Sequence, residues 1–371
     1  MVPPSRAVTL LSAAVALLAV WGYHALLLPP PPKLCGTPGS PPAVSPRIRL
    51  HDGRHLAYRE SGVPRAEARH RVVLAHGLVD SKDFSLSASP ELVEELGVYF
   101  VCFDRPGFAE SDPHPGRTVK SAAMDIQELA DQLGLGERFY VVGASIGGYA
   151  AWGCIKHIPH RLAGVALVVP GINYWWPSLP AGLANAAFGK LHPSDRRAFW
   201  VARHAPWLLY AYMTQKLVTP SAALAGLPDI FSRQDQEILG MLGFNTTATV
   251  EQVTRQGIHE SLYRDLMVAF GDWGFEPMKL ADPFPRHSDG GSSSSSSAVH
   301  VWQGGEDRVL DPEVQRYVAR KLPWVRYHEC PDCGHLLVHK EVWSNAILRE
   351  LVLGPEQEDD RHKSSCAAAA A

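Results

Sequence analysis

A serine set among small residues, Gly143-Ala144-Ser145-Ile146-Gly147-Gly148, follows the apolar stretch 139–142 and precedes a helical stretch at 148–157. A hydroxyl is a weak nucleophile until a base takes its proton, and it must also stand clear of the surrounding backbone. A sharp strand-to-helix turn meets the second need, and Gly143 and Gly147 permit the crowding such a turn brings. The start of the following helix favours developing negative charge. Ordinary tight turns also join glycine and serine, so the motif gains weight only from partners elsewhere in the chain.

Acyl-transfer chemistry on such a turn asks for an acid and then a histidine, each after a later strand. Gly304-Gly305-Glu306-Asp307 follows the stretch 299–303, and Gly334-His335 follows the stretch 325–330. On this reading Ser145 attacks an acyl carbon, His335 takes its proton and returns it to the leaving group, and Asp307 orients and stabilises the imidazolium. Asp311 is the rival acid, although its place before Pro312 is explained by a helix N-cap. The chain has 17 histidines, with His328 and His339 flanking His335; position after the strand singles out His335. Backbone N–H groups of Leu78, in the loop His76-Gly77-Leu78, and of Ile146 are the natural oxyanion donors.

These residues need a scaffold, and short β-rich runs alternate with amphipathic stretches as a mostly parallel sheet with helices on both faces requires. The runs predict eight strands at 47–51, 55–60, 71–75, 99–104, 139–143, 162–169, 299–303 and 325–330. Between Thr118 and Leu133, apolar residues at three- and four-residue spacing (Ala122, Ile126, Leu129, Ala130) predict a helix packed on that sheet, stopped by Gly134 and Gly136. The rhythm breaks after Pro170 and resumes near Ala298, which predicts an inserted helical cap whose Trp175, Trp176, Trp200, Trp207 and Trp273 serve internal packing. The expected division is 1–46 anchor and linker, 47–170 core, 171–297 cap, 298–354 core again, and 355–371 disordered tail. Residues 287–296, rich in Ser and Gly, read as a flexible exposed loop.

Residues 7–28 form a run of roughly 22 mainly apolar, uncharged residues. A helix of that length, at ~1.5 Å per residue, reaches across a ~30 Å hydrocarbon core, so the run predicts a single-pass signal-anchor in the endomembrane system, orientation open. A cleaved signal peptide is the alternative, although its apolar region is ordinarily shorter, at ~7–15 residues. Residues 29–46, rich in Pro, Gly and Ser, predict a stiff extended tether, with the folded body starting near Arg47. If the body is luminal, Asn245-Thr246-Thr247 is a glycosylation acceptor.

Thirty-five basic and 38 acidic residues give a formal charge of -3 with no dense Lys/Arg stripe, which argues against a nucleic-acid partner. Hydrophobic content of 46% with 20% charge fits a chain that buries a sizeable core. Of six cysteines, Cys330 and Cys333 form a C-x-x-C that suits a redox pair, half a zinc site or a plain loop, and a disulfide between them stays open. No second pair completes a four-ligand site, and no motif asks for a metal or cofactor.

Assembled, these motifs resemble the α/β-hydrolase superfamily over 47–353, and more closely a plant group of membrane-anchored members. The resemblance lies in His76-Gly77, the Ser145 turn, the block from Phe103 through Asp104, Arg105, Pro106 and Gly107 to Ser111 and Asp112, Arg161-Leu162-Ala163-Gly164, and Asn173-Tyr174-Trp175-Trp176-Pro177. Ala109 and Ile146 stand where family members often have Gly and Met; the second lies beside the acyl pocket. The resemblance implies hydrolase chemistry without a cofactor and does not supply a substrate; the main reading is hydrolysis of a carboxylic ester, lipid-like in view of the anchor or small, with thioester hydrolysis or acyl transfer as neighbouring chemistries. Epoxide and haloalkane hydrolysis are disfavoured because those relatives carry Asp at the position of Ser145. A small-molecule receptor on the same scaffold is the rival from another class, and no obligatory protein partner is implied.

Overall fold

A computed structural model describes residues 6–243, 245–284 and 298–354. The expected loop at 287–296, the tail at 355–371 and Cys366 lie outside them. Eight strands form one sheet: β1 (Arg47–Arg49), β2 (His55–Gly62), β3 (His70–Ala75), β4 (Val98–Phe103), β5 (Phe139–Ala144), β6 (Leu162–Val168), β7 (Val299–Gly304) and β8 (Val325–Cys330). Their order is β1-β2-β4-β3-β5-β6-β7-β8. β2 pairs antiparallel with β1 and β4, and every other pairing is parallel. Every residue of β4 and β5 is buried, as parallel strands covered on both faces require.

Each expected strand is present, with small shifts at the ends that the pairing explains. β1 stops at Arg49 because the chain turns back at once, Leu50 N donating to Arg54 O at 2.8 Å. β2 runs on to Gly62 because its ladder with β4 continues to the pair Gly62 and Tyr99. The order reverses about β3, from which the chain goes first to β4 on one side and then to β5 on the other. Such a switch point opens a crevice beyond the carboxyl ends of the two strands, where both His76 and Ser145 follow.

Helix Val119–Gln132 starts at Thr118, whose side chain accepts from Ser121 N in a reciprocal cap, and it buries Ile126, Leu129 and Ala130. Helix Gly148–His157, directly after the serine turn, is buried from Gly148 to Ile155 and carries Trp152 at 1% exposure. Trp152→Ala should therefore cost about 3–5 kcal/mol of stability, read as a lower urea midpoint at unchanged slope.

Between β6 and β7 the chain leaves the sheet for a run of helices that includes Ala181–Lys190, Pro193–His204, Arg233–Met241 and Arg264–Phe270. Packing among aromatics holds it: Phe199 stacks on Phe270 at 4.2 Å, and Trp176 meets Trp273 edge-on at 5.2 Å. The tryptophans divide, however. Trp200 and Trp207 are 52% and 64% exposed, so the expectation of internal packing fails for them; Trp200 is turned about 100° around its helix from the buried Phe199.

The linker does more than the expected stiff extended tether. Lys33 N donates to Gln256 O at 2.8 Å, Cys35 N to Gln256 Oε1 at 3.0 Å, and Val44 N and Ser45 N to Glu110 Oε2 at 2.8 and 2.9 Å. A proline-rich chain has few internal hydrogen bonds, so its N–H groups are free for acceptors on the body, and its stiffness lowers the entropy lost on docking. The folded body thus begins ahead of Arg47. Further upstream, helix Arg6–Leu26 forms inside the apolar run, yet among the described residues no helix is long and apolar enough to cross a membrane. The single-pass expectation gains no support here.

Cys330 and Cys333 are bonded to each other at the end of β8, so neither serves as a zinc ligand. Cys35, Cys102 and Cys154 are free and buried. Asn245 caps helix Thr246–Val253, accepting from Ala248 N at 3.1 Å.

Candidate functional site

β5 delivers Ser145 at its carboxyl end with φ of +51°, the left-handed conformation that a side chain resists and a sharp turn imposes. The turn packs hard against the end of β3. A Cβ added at Gly147 would lie 2.3 Å from the Ala75 carbonyl oxygen, so only glycine fits there. The loop after β3 closes over the serine, bringing Gly77 beside it and Leu78 and Ile146 into one cavity with Ser145.

β7 and β8 bring the other two candidates to the same place. His335 Nε2 lies 2.9 Å from Ser145 Oγ, and its Nδ1 lies 2.9 Å from Asp307 Oδ2. Asp307 is itself fixed: Oδ1 accepts from Val309 N and Leu310 N, each at 2.9 Å, and Oδ2 accepts from Gln303 Nε2 at 3.0 Å. Burial disfavours a charged imidazole at His335, but the Asp307 carboxylate outweighs it, so the histidine's pKa lies above its ordinary value.

The rival residues are used elsewhere. Asp311 caps helix Pro312–Lys321, accepting from Glu313 N at 3.3 Å, and pairs with Lys190 at 2.8 Å. His328 stacks on Trp302 at 4.0 Å and bonds to His300, and His339 packs edge-on against Phe84. Asp104 accepts from Lys82 N at 2.7 Å, Lys82 Nζ at 3.1 Å and Glu110 N at 3.1 Å, tying the loop after β3 to the segment after β4. His76 is fully buried with its pKa driven well down by burial and by Arg105, hence neutral. Its Nε2 accepts from Arg105 N at 3.2 Å, and the Arg105 guanidinium returns hydrogen bonds to the His76 and Gly77 carbonyls, bracing the turn before Leu78.

Above Ser145 lies an apolar cavity. Leu78 and Ile146 border it from the core, and Phe199, Leu266, Phe270 and Trp273 from the segment between β6 and β7. Trp273 is thus a site residue that periodicity assigned to packing alone. Two more lay hidden. Gln303 is the last-but-one residue of β7, where its spacing reads only as strand. Asp265 binds Arg105 at 2.5 Å and Tyr149 Oη at 2.8 Å, linking the helical segment to the floor of the site, and no local motif marks it.

The family model for the alpha/beta hydrolase fold matches residues 70–342. Mouse (Mus musculus) monoacylglycerol lipase ABHD6 is 22% identical over 320 residues, covering 81% of this chain and 80% of that protein. Among solved structures, the enol-lactonase from Burkholderia xenovorans LB400 is similar at 16% identity and TM-score 0.57, covering 82% of this chain and 99% of that one. An esterase from Exiguobacterium antarcticum is similar at 16% identity and TM-score 0.56, covering 83% and 99%. With its mostly parallel sheet reversing at β3 and its serine on the turn after β5, this chain belongs to the alpha/beta hydrolase fold family.

Proposed function

We propose that the chain is a serine hydrolase of carboxylic esters with a lipid-like acyl group. The observation that carries this reading is the run of contacts from Ser145 through His335 to Asp307, at 2.9 Å each, with Ser145 opening onto an apolar cavity. His335, with its proton on Nδ1 held by Asp307, accepts the Ser145 proton on Nε2 as Oγ attacks the acyl carbon. Backbone N–H groups of Leu78 and Ile146 take up the oxyanion charge. The imidazolium then protonates the departing alcohol, leaving an acyl-serine, and a water activated by the same histidine releases the acid. The apolar cavity suits an acyl chain, and the similarity to a monoacylglycerol lipase agrees with that.

The test is labelling of the full chain with a fluorophosphonate, followed by turnover of monoacylglycerols and short-chain esters. Rapid adduct formation at Ser145 is expected. A well-folded protein that takes no label, yet gains thermal stability from a small apolar ligand, would favour the receptor reading instead. The rate should also follow the histidine. His335 must be neutral to act as base and its pKa is raised, so labelling falls with falling pH about a midpoint above the ordinary value near 6.5. A midpoint below that value speaks against His335 as the base.

We infer membrane attachment through helix Arg6–Leu26, in an endomembrane setting. Leu10, Leu11, Leu17, Leu18 and Trp21 are each 66–71% exposed there, an apolar surface that water does not favour. Removal of that helix should move the protein from the membrane pellet to the supernatant. We also infer closer kinship to the plant membrane-anchored group, on the Asn173-Tyr174-Trp175-Trp176-Pro177 stretch.

A further inference from the structure

The loop that carries His335 is held from outside the sheet. Asp235, in the first turn of helix Arg233–Met241, is fully buried. It accepts the backbone N–H of His335 at 3.0 Å on Oδ2 and that of Leu336 at 2.7 Å on Oδ1. Oδ2 also accepts the Ser232 N–H at 3.1 Å and the Ser232 hydroxyl at 2.9 Å, while Asp235 N donates to Ser232 Oγ at 3.2 Å. An acidic residue at this position of a helix ordinarily reaches back to its own N-cap and no further. Here the same carboxylate also grips a loop 100 residues on. The approach is close: a Cβ on Gly334 would lie 2.1 Å from Asp235 Oδ2 and 2.3 Å from Ser232 Oγ, so only glycine lets the two elements meet.

We propose that Asp235 is a positioning residue for His335, making the helical segment between β6 and β7 and the histidine loop a single unit. The proposal rests on the hydrolase reading above. Two successive N–H groups anchored to one carboxylate fix the backbone from which the imidazole projects, so that Nε2 meets Ser145 while Nδ1 meets Asp307. Shifting the helical segment off the core removes that anchor, and the site is complete only when the segment is seated. The anchor also carries charge. The titratable groups facing His335 are Asp307 from the loop after β7, Asp235 from the helical segment and His339 from its own loop. Of these, the two carboxylates favour the imidazolium, so neutralising Asp235 lowers the pH at which His335 gains its proton.

The experiment compares Asp235→Asn with Ser232→Ala in the full chain. Ser232→Ala removes the hydroxyl half of the helix cap and leaves both bonds to the histidine loop, so fluorophosphonate labelling should stay within about threefold of wild type. Asp235→Asn should slow labelling about tenfold to a hundredfold, as a small misplacement of a catalytic group does, and move the midpoint of the pH profile downward. Hydrogen–deuterium exchange of the peptide 334–337 should quicken in Asp235→Asn and not in Ser232→Ala. The proposal is overturned if the two variants agree in rate, midpoint and exchange. If the wild type takes no label, the hydrolase reading fails separately, and the exchange comparison still decides whether Asp235 holds the loop.

Discussion

Ser145→Ala should abolish fluorophosphonate labelling and lower ester turnover by about 10⁴- to 10⁶-fold, the range seen when a nucleophile that works as one unit with its base is lost. His335→Ala should fall within about tenfold of that loss, and the double variant should be no slower than the worse single one. The reason is structural. Ser145 Oγ has its base at 2.9 Å, so each residue is of little use without the other. Intact-mass measurement of the adduct, with turnover of one monoacylglycerol, checks both. A serine variant that still forms an adduct at wild-type rate would remove Ser145 from the mechanism. The fold should survive, because the φ of +51° at this position is strained for serine and for alanine alike.

The second large effect separates the two candidate acids. Asp307→Asn should lower turnover by about 10³- to 10⁴-fold, because the carboxamide, with its oxygen kept on Val309 N and Leu310 N, turns an N–H toward Nδ1 and so favours the wrong tautomer of His335. It leaves the packing nearly unchanged: the Asn oxygen can still accept from Val309 N and Leu310 N, as Oδ1 does now. Asp311→Asn should change turnover less than tenfold, since Asp311 caps a helix and pairs with Lys190 rather than reaching the histidine. Asparagine is a good N-cap, so its stability cost is small as well. Comparable losses of kcat in the two variants would return the assignment of the acid to open choice.

Much of this arrangement is legible in the sequence because it is local. Alternation of β-rich and amphipathic runs placed eight strands, small residues around Ser145 marked a strained turn, and a strand end before Asp307 and before His335 singled out each from its neighbours. All of these act within about ten residues of chain, where period and turn chemistry operate. The Asp311 cap was visible for the same reason, as a side chain bonding to a backbone two residues ahead.

What remained hidden depends on contacts that no local pattern encodes. Ser232 and Asp235 read as a helix start whichever loop lies beyond them, and only folding brings His335 and Leu336 onto that carboxylate. Trp273 has the look of any packing tryptophan until Ser145 appears across the cavity from it. The proline-rich stretch looks like a spacer in isolation, and its docking needs Gln256 and Glu110, which the chain supplies 221 residues after Cys35 and 66 after Val44. Sequence by itself therefore determined the sheet, the serine turn and the order of the three polar residues, since each follows from short-range conformational preference. The tertiary structure alone decided which buried groups hold those residues in place and what surrounds the serine, since hydrogen bonds and apolar contacts between elements distant in the chain form only when the layers close.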